Sequence, residues 1–362
     1  MGVPLFDTRA PLAPLRAALH AKAAEVLDAG AYILGPEVRA FEEELAAHLG
    51  LAHVVGVANG TDALVIVLRA MGVRPGDDVV VPSFTFYASA EAIALVGANP
   101  VFCDIDPETF LVTRETVRAA LTPKTKVVMV VHLFGNVAPV EEVARLGLPV
   151  LEDAAQAAGS RTADGRRAGA LGAAATFSFF PSKNLGAFGD AGAVATADAA
   201  LAERVAMLRF HGSRDKVSFE LVGHNSRLDE LQAALLRLEL PHLDAWCDGR
   251  RAASAHYVDA GLAELAGLPV PASGCDPAWH LYVIRHPRAE ALAAALAAAG
   301  VGAKRYYATP LHRQPAMRPW SDVALPGTDR AAREHLAIPM SPVLTREQAG
   351  EVVAAVRDAD LG

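Results

Sequence analysis

Thr176-Phe-Ser-Phe-Phe-Pro-Ser-Lys-Asn-Leu-Gly-Ala-Phe-Gly-Asp-Ala-Gly192 decides how the rest of the chain is read. The apolar run over residues 173–180 predicts a buried strand, and Pro181, which cannot donate to a ladder, ends it. Lys183 therefore falls just beyond a strand end. Gly186, Gly189 and Gly192 follow it and permit tight backbone paths and close approach to a ligand. With Phe179, Phe180 and Phe188 expected to wall it, the lysine loses hydration and its pKa falls. A free amine so placed forms a Schiff base with an aldehyde. A lysine beside a glycine loop is more often an ordinary surface residue, so the surrounding chain must carry the assignment.

At 362 residues the chain exceeds a typical single core and suits two domains. A hydrophobic fraction of 52% against 20% charged residues describes a folded globular protein. The net charge of −8 argues against nucleic acid as the main partner, because phosphate-backbone binding needs a basic face. No apolar run is long enough to span a bilayer, and the start lacks a basic region followed by an apolar one, so the expected location is the cytoplasm. Cys103, Cys247 and Cys275 are far apart and odd in number; neither a disulfide framework nor a metal cluster is expected.

Helical patterns cover residues 12–29, closed by Gly30, and 37–49, closed by Gly50. A short strand at 54–58 then turns through Asn59-Gly60-Thr61 into a helix at 62–71, whose free N–H groups make an anion site at Gly60 and Thr61. Thr61 reads equally as an ordinary N-cap. Strands at 79–81, 100–104, 126–131 and 149–152 alternate with helices that include 114–121 and 140–146. Such alternation predicts a mainly parallel sheet covered on both faces, with its site beyond the carboxyl ends of the strands. Thr61, Phe86, His132, Asp153 and Lys183 all share that address. The Phe86 ring can cover a planar cofactor, or pack in the core as most phenylalanines do. Asp153 can hold a pyridinium N–H, and Gln156 is expected on the same helical face. Beyond Pro241 come a helix to about Ala260, a strand near residues 280–285 and an alanine-rich helix at 289–299.

The lysine segment resembles that of the DegT/DnrJ/EryC1/StrS sugar aminotransferases, and the resemblance recurs from Gly35-Pro-Glu-Val-Arg-Ala-Phe-Glu42 to Ile338-Pro-Met-Ser-Pro342. It implies an α/β chain of the type I pyridoxal-phosphate transferase fold. A large domain over 1–240 would carry the cofactor beside a smaller α+β domain over 241–362. It also implies pyridoxal 5′-phosphate (PLP) bound through Lys183, with Asp153 at the ring nitrogen and Gln156 at the phenolic oxygen. Phe86 would stack on the ring, and Gly60, Thr61 and Ser178 would hold the phosphate. Asn225, in Gly223-His-Asn-Ser-Arg-Leu-Asp-Glu-Leu-Gln-Ala, would reach the phosphate of a neighbouring subunit, making a homodimer with shared sites. Arg227, Tyr307 and His312 match the substrate side, although Arg227 pairs equally well with Asp229 or Glu230, and Ala308 and Thr309 depart from the commoner residues.

The implied reaction is ping-pong transfer of an amino group, with glutamate as donor, to a nucleotide-linked keto sugar of the dTDP-3-keto-6-deoxyhexose kind. The 4-keto enzymes and the amino-cyclitol or amino-benzoate synthases of the same family remain open alternatives. A sugar dehydratase ranks below transamination because Lys183 is kept where related deoxygenating enzymes carry histidine. A non-catalytic PLP-binding protein would hold the cofactor without turnover. A nicotinamide oxidoreductase is disfavoured because no Gly-x-Gly-x-x-Gly follows a strand.

Overall fold

Runs of valine and alanine build the central layer, since side chains buried on both faces suit parallel strands. The computed structural model describes residues 2–272 and 274–359. Its first seven strands are β1 (His53–Val57), β2 (Asp78–Pro82), β3 (Asn99–Cys103), β4 (Thr125–Val131), β5 (Val150–Asp153), β6 (Ala174–Ser178) and β7 (Gly192–Thr196). They form one sheet in the order β1-β7-β6-β5-β4-β2-β3. Every pairing from β6 through β5, β4 and β2 to β3 is parallel, while β7 runs antiparallel to both β1 and β6. The expected mainly parallel sheet is therefore present. Its parallel strands end at Val57, Pro82, Cys103, Val131, Asp153 and Ser178, which gathers the predicted site residues along one edge.

The helices that cover this sheet are α1 (Arg16–Ala29), α2 (Pro36–Leu49), α3 (Gly60–Ala70), α4 (Ala88–Leu95), α5 (Arg114–Ala120), α6 (Val140–Ala144), α7 (Ala199–Arg209) and α8 (Glu230–Glu239). α3, α4 and α7 share one core with the sheet, around Ile66, Val79 and Val205. α2 and α8 pack on Ala175, Phe177 and Ala193 in another. The remaining elements are α9 (Leu243–Asp259), β8 (Tyr282–Arg285), α10 (Ala289–Ala298), α11 (Pro326–Glu334), β9 (His335–Ile338) and α12 (Arg346–Arg357). β8 and β9 form an antiparallel pair. α9, α10 and α12 enclose that pair in a core of Tyr257, Tyr282, Leu292 and Val352. The chain's start joins this core: Val3 is buried there, its carbonyl accepts from Gly302 N–H at 2.8 Å, and Leu5 accepts from Met340 N–H at 3.3 Å.

α8 begins at Glu230, after an extended Asp229. The reason lies in what Glu230 does. Its carboxylate, 1% exposed, turns away from its own helix and caps α2. It accepts from the N–H groups of Gly35 at 2.7 Å, Glu37 at 2.9 Å and Val38 at 2.9 Å. These are donors that a helix start leaves unpaired, and a negative charge suits the positive end of the dipole. Glu230→Ala strands these donors and should cost about 3 kcal/mol in urea unfolding at fixed protein concentration, with helix α2 losing amide-exchange protection first.

Candidate active site

The Lys183 segment is a closed loop between β6 and β7. Phe179 continues the ladder by donating to Ala191 O at 2.8 Å and accepting from Ala187 N–H at 2.7 Å, and Lys183 N–H donates to Phe180 O at 2.8 Å. Gly186 is required here: a Cβ on it would sit 2.6 Å from Pro181 O. Phe179 is buried edge-on against Phe41, with ring centroids 5.4 Å apart. Phe180 and Phe188 instead point outward, 52% and 50% exposed, so the expected aromatic wall is only one-third built. The lysine is desolvated by other means. A cavity of about 40 Å³ lies under the loop, lined among others by Lys183, Asn184, Glu239 and Arg250. The residue as a whole is partly exposed, yet burial of its amine pushes the pKa down to about 8, against the opposing pull of Asp153. The same cation, with Arg250, helps burial hold His280 well below the usual imidazole range.

β5 ends in two carboxylates that alternate across the sheet. Glu152 is fully buried and accepts from His132 Nε2–H at 2.7 Å and from the N–H groups of Gly169, Leu171 and Gly172 at 2.8, 2.7 and 2.6 Å. Ala138 N–H donates to His132 Nδ1 at 3.0 Å, which leaves the proton on Nε2 and the ring neutral. Asp153, on the other face, accepts from Ser89 Oγ–H at 2.8 Å and Ala155 N–H at 3.2 Å. Burial raises its pKa, and the Ser89 bond, the Ala155 bond and Lys183 oppose that rise.

Residues 154–159 form turns rather than the expected helix, so Gln156 is placed by contacts and not by helical spacing. Its Oε1 accepts from Phe134 N–H at 2.8 Å and its Nε2 donates to Tyr307 OH at 3.0 Å. Phe134 is held in the left-handed region at φ 59°, a costly conformation that this buried amide helps to maintain. Tyr307 stacks on Phe134 at 5.9 Å and is buried, which lifts its phenol above the ordinary range. It thus touches the predicted cofactor shell through Gln156.

At the start of α3 the N-cap is Asn59, whose side chain accepts from Asp62 N–H at 2.8 Å, which leaves Thr61 free of that role. Backbone crowding fixes the neighbours. A Cβ on Gly60 would lie 2.7 Å from Ser178 Cβ, and one on Gly192 would lie 2.5 Å from Asn59 O. Helix start and Ser178 are therefore side by side. Phe86 sits between β2 and α4 with its ring 58% exposed. Asn225 and Arg227 line an open groove with Asn59, Asp190 and Gln232, next to the α3 start. Glu230, one candidate partner for Arg227, is occupied at α2. His312 lies further off, buried, with Nδ1 2.7 Å from Ser83 Oγ. Ser89 and Glu152 escaped the sequence reading; Ser89 had one signal, its place one turn after Phe86 at a predicted helix start.

A family model for the DegT/DnrJ/EryC1/StrS aminotransferase family matches residues 15–357. The chain belongs to that family. It is 46% identical over 364 residues to a dTDP-3-amino-3,4,6-trideoxy-alpha-D-glucose transaminase of Streptomyces venezuelae, covering 98% of this chain and 96% of that one. The crystal structure of S. venezuelae DesV in complex with a ketimine intermediate superposes with a TM-score of 0.95 at 45% identity, covering 99% and 98% of the two chains. NtdA of Bacillus subtilis, solved with bound cofactor PMP, superposes with a TM-score of 0.90 at 30% identity, covering 99% and 85%. The type I fold and an aminotransferase activity dependent on pyridoxal phosphate follow from membership of the DegT/DnrJ/EryC1/StrS family.

The residues present fit that cofactor on their own chemistry. A phosphate suits the crowded junction of Gly60, Thr61 and Ser178, an exposed ring at Phe86 offers a flat face, and a buried acid and a desolvated amine stand at the same sheet edge. The desolvated amine also burdens the empty fold. A base held at about 8 when folded and near 10.5 when unfolded costs stability fully at pH 7, and the cost fades as pH rises through that window. Lys183→Met should therefore raise the Tm of cofactor-free protein at pH 7, with the gain over wild type shrinking towards pH 10.5.

Proposed function

We propose that this aminotransferase carries the amino group of L-glutamate to the keto carbon of a dTDP-linked 3-keto-6-deoxyhexose, in two half-reactions at one site. The observation that carries the reading is the convergence of Lys183, lowered to about 8, and buried Asp153 beyond the ends of neighbouring parallel strands. The name of the S. venezuelae relative, a 3-amino-sugar transaminase, supports carbon 3 as the site of amination.

When bound, pyridoxal 5′-phosphate supplies an electron sink for negative charge at the donor carbon and a carbon that carries the amino group between substrates. The chain's own groups do the rest. Lys183 would hold the cofactor through Nζ and, when its amine is free, would take the proton from the donor carbon; burial that lowers the amine to about 8 favours the unprotonated form this needs. Asp153 keeps the ring nitrogen protonated from the opposite side. Gln156, fixed by Phe134 and Tyr307, presents an oriented amide to the phenolic oxygen. Phe86 covers one ring face and excludes water from it. Gly60, Thr61 and Ser178 bind the phosphate and take no part in proton transfer.

The phosphate cradle is completed by Asn225 of a second copy, so the active unit is a homodimer with two shared sites. Exposure of Asn225 beside Phe219 (60%), Val222 (83%) and Ile33 (46%) supports a partner covering this face. Arg227, Tyr307 and His312 belong to the sugar side of the cleft. Three unpaired thiols suit a reducing compartment, which favours the cytoplasm.

Borohydride reduction of the loaded enzyme followed by digestion should place the cofactor's mass on the peptide holding Lys183. Lys183→Ala should lose that adduct and nearly all turnover with glutamate and the 3-keto sugar; amination by Lys183→Ala at the wild-type rate would refute the assignment. Mixing inactive Lys183→Ala with impaired Asn225→Ala should restore activity through hybrid dimers, each with one intact site. No recovery in confirmed hybrids would place Asn225 outside the shared cradle.

A further inference from the structure

Asp153 is 5% exposed, and the groups around it are Lys183 on the loop after β6, His132 beyond β4 and Tyr307 from the C-terminal part of the chain. His132 is neutral, its Nε2–H committed to Glu152. The direct hydrogen bonds to the carboxylate are thus Ser89 Oγ–H at 2.8 Å and Ala155 N–H at 3.2 Å. Ser89 is fully buried in the first turn of α4, its own N–H donating to Phe86 O at 3.2 Å. Thr85 Oγ1 lies 3.3 Å from Ser89 Oγ. An ionised carboxylate only accepts, so Ser89 must spend its one proton on Asp153, and Thr85 must be the donor to Ser89.

We propose that the Thr85–Ser89 hydroxyl pair is the positioning device that keeps Asp153 ionised and turned towards the ring nitrogen, with Ser89 as its decisive member. The inference rests on the placement of that nitrogen at Asp153. The junction into α4 then serves two ends: Phe86, just before the helix, offers the ring face, and Ser89, in its first turn, holds the charge meant for the ring nitrogen. Burial alone drives Asp153 towards the neutral acid, which has no charge to hold a proton on the ring. A hydrogen bond from a hydroxyl to a buried charge is strong enough to reverse that by one pH unit or more.

The test is Ser89→Ala, with Ser89→Thr as the variant that keeps a hydroxyl, each loaded with cofactor labelled with nitrogen-15 in the ring. The nitrogen shift gives, without reference to turnover, the pH at which the ring nitrogen gives up its proton, which the Asp153 charge holds in place to higher pH. Ser89→Ala should move the midpoint of that signal down, and the acid limb of kcat, where Asp153 takes up a proton, up, each by about one pH unit or more. Ser89→Thr should leave both near wild type, and Thr85→Val should move each in the same direction as Ser89→Ala does, by less. A purely structural serine would lower Tm without moving either midpoint, and that result overturns the inference. An unprotonated ring nitrogen in the wild type at neutral pH would instead overturn the placement of the cofactor, and the inference with it.

Discussion

Everything at the site depends on how two consecutive buried carboxylates at the end of β5 find hydrogen-bond donors. Strand alternation sends Glu152 and Asp153 to opposite faces, so they do not compete for the same donors. Glu152 is saturated by one imidazole and three backbone N–H groups, which welds the turn after β4 and the loop at 169–172 to the strand end. Asp153 is less saturated, with one hydroxyl and one amide. The difference is set by the number of donors each meets, since both are buried.

Most of the sheet was legible because its strands are nearly unbroken apolar runs bounded by turns, and because parallel connection forces the functional residues to one edge. Lys183, Asp153 and the Asn59–Thr61 turn could be placed from that logic, and the family resemblance supplied their roles. What sequence patterns missed depends on contacts between distant segments. No period in the chain indicates that Glu230 caps a helix almost 200 positions earlier, or that Gln156 is oriented by Phe134 and Tyr307 rather than by a helix of its own. Likewise Phe180 and Phe188 looked like walls because they flank the lysine in sequence, but a loop that folds back on itself sends such neighbours outward.

The C-terminal elements were read least well. β9, α11 and α12 were not anticipated, although Thr345 and Gln348 form the reciprocal cap that announces α12. β9 has only four residues and directly follows a helix, too short a run for alternation to stand out. Its partner β8 and the packing of Tyr257 on Tyr282 give it its identity, which is a tertiary cause.

The placement of the first residues gives the molecule a topology that a cut at residue 240 obscures. Residues 2 and 3 lie at the C-terminal core, with Gly2 pressed against Gly300 and Gly302 N–H donating to Val3 O, before the chain runs on to build the large sheet. The C-terminal elements are consequently joined to the sheet by two passes of the chain, and Leu281, Val283 and Ala331 also pack in one core with Val80 and Val128 of the sheet. A single hinge can swing freely, whereas a doubly strung piece moves only in directions that both strings allow. For the same reason residues 241–362 taken alone would lack Val3, which fills a place in their core.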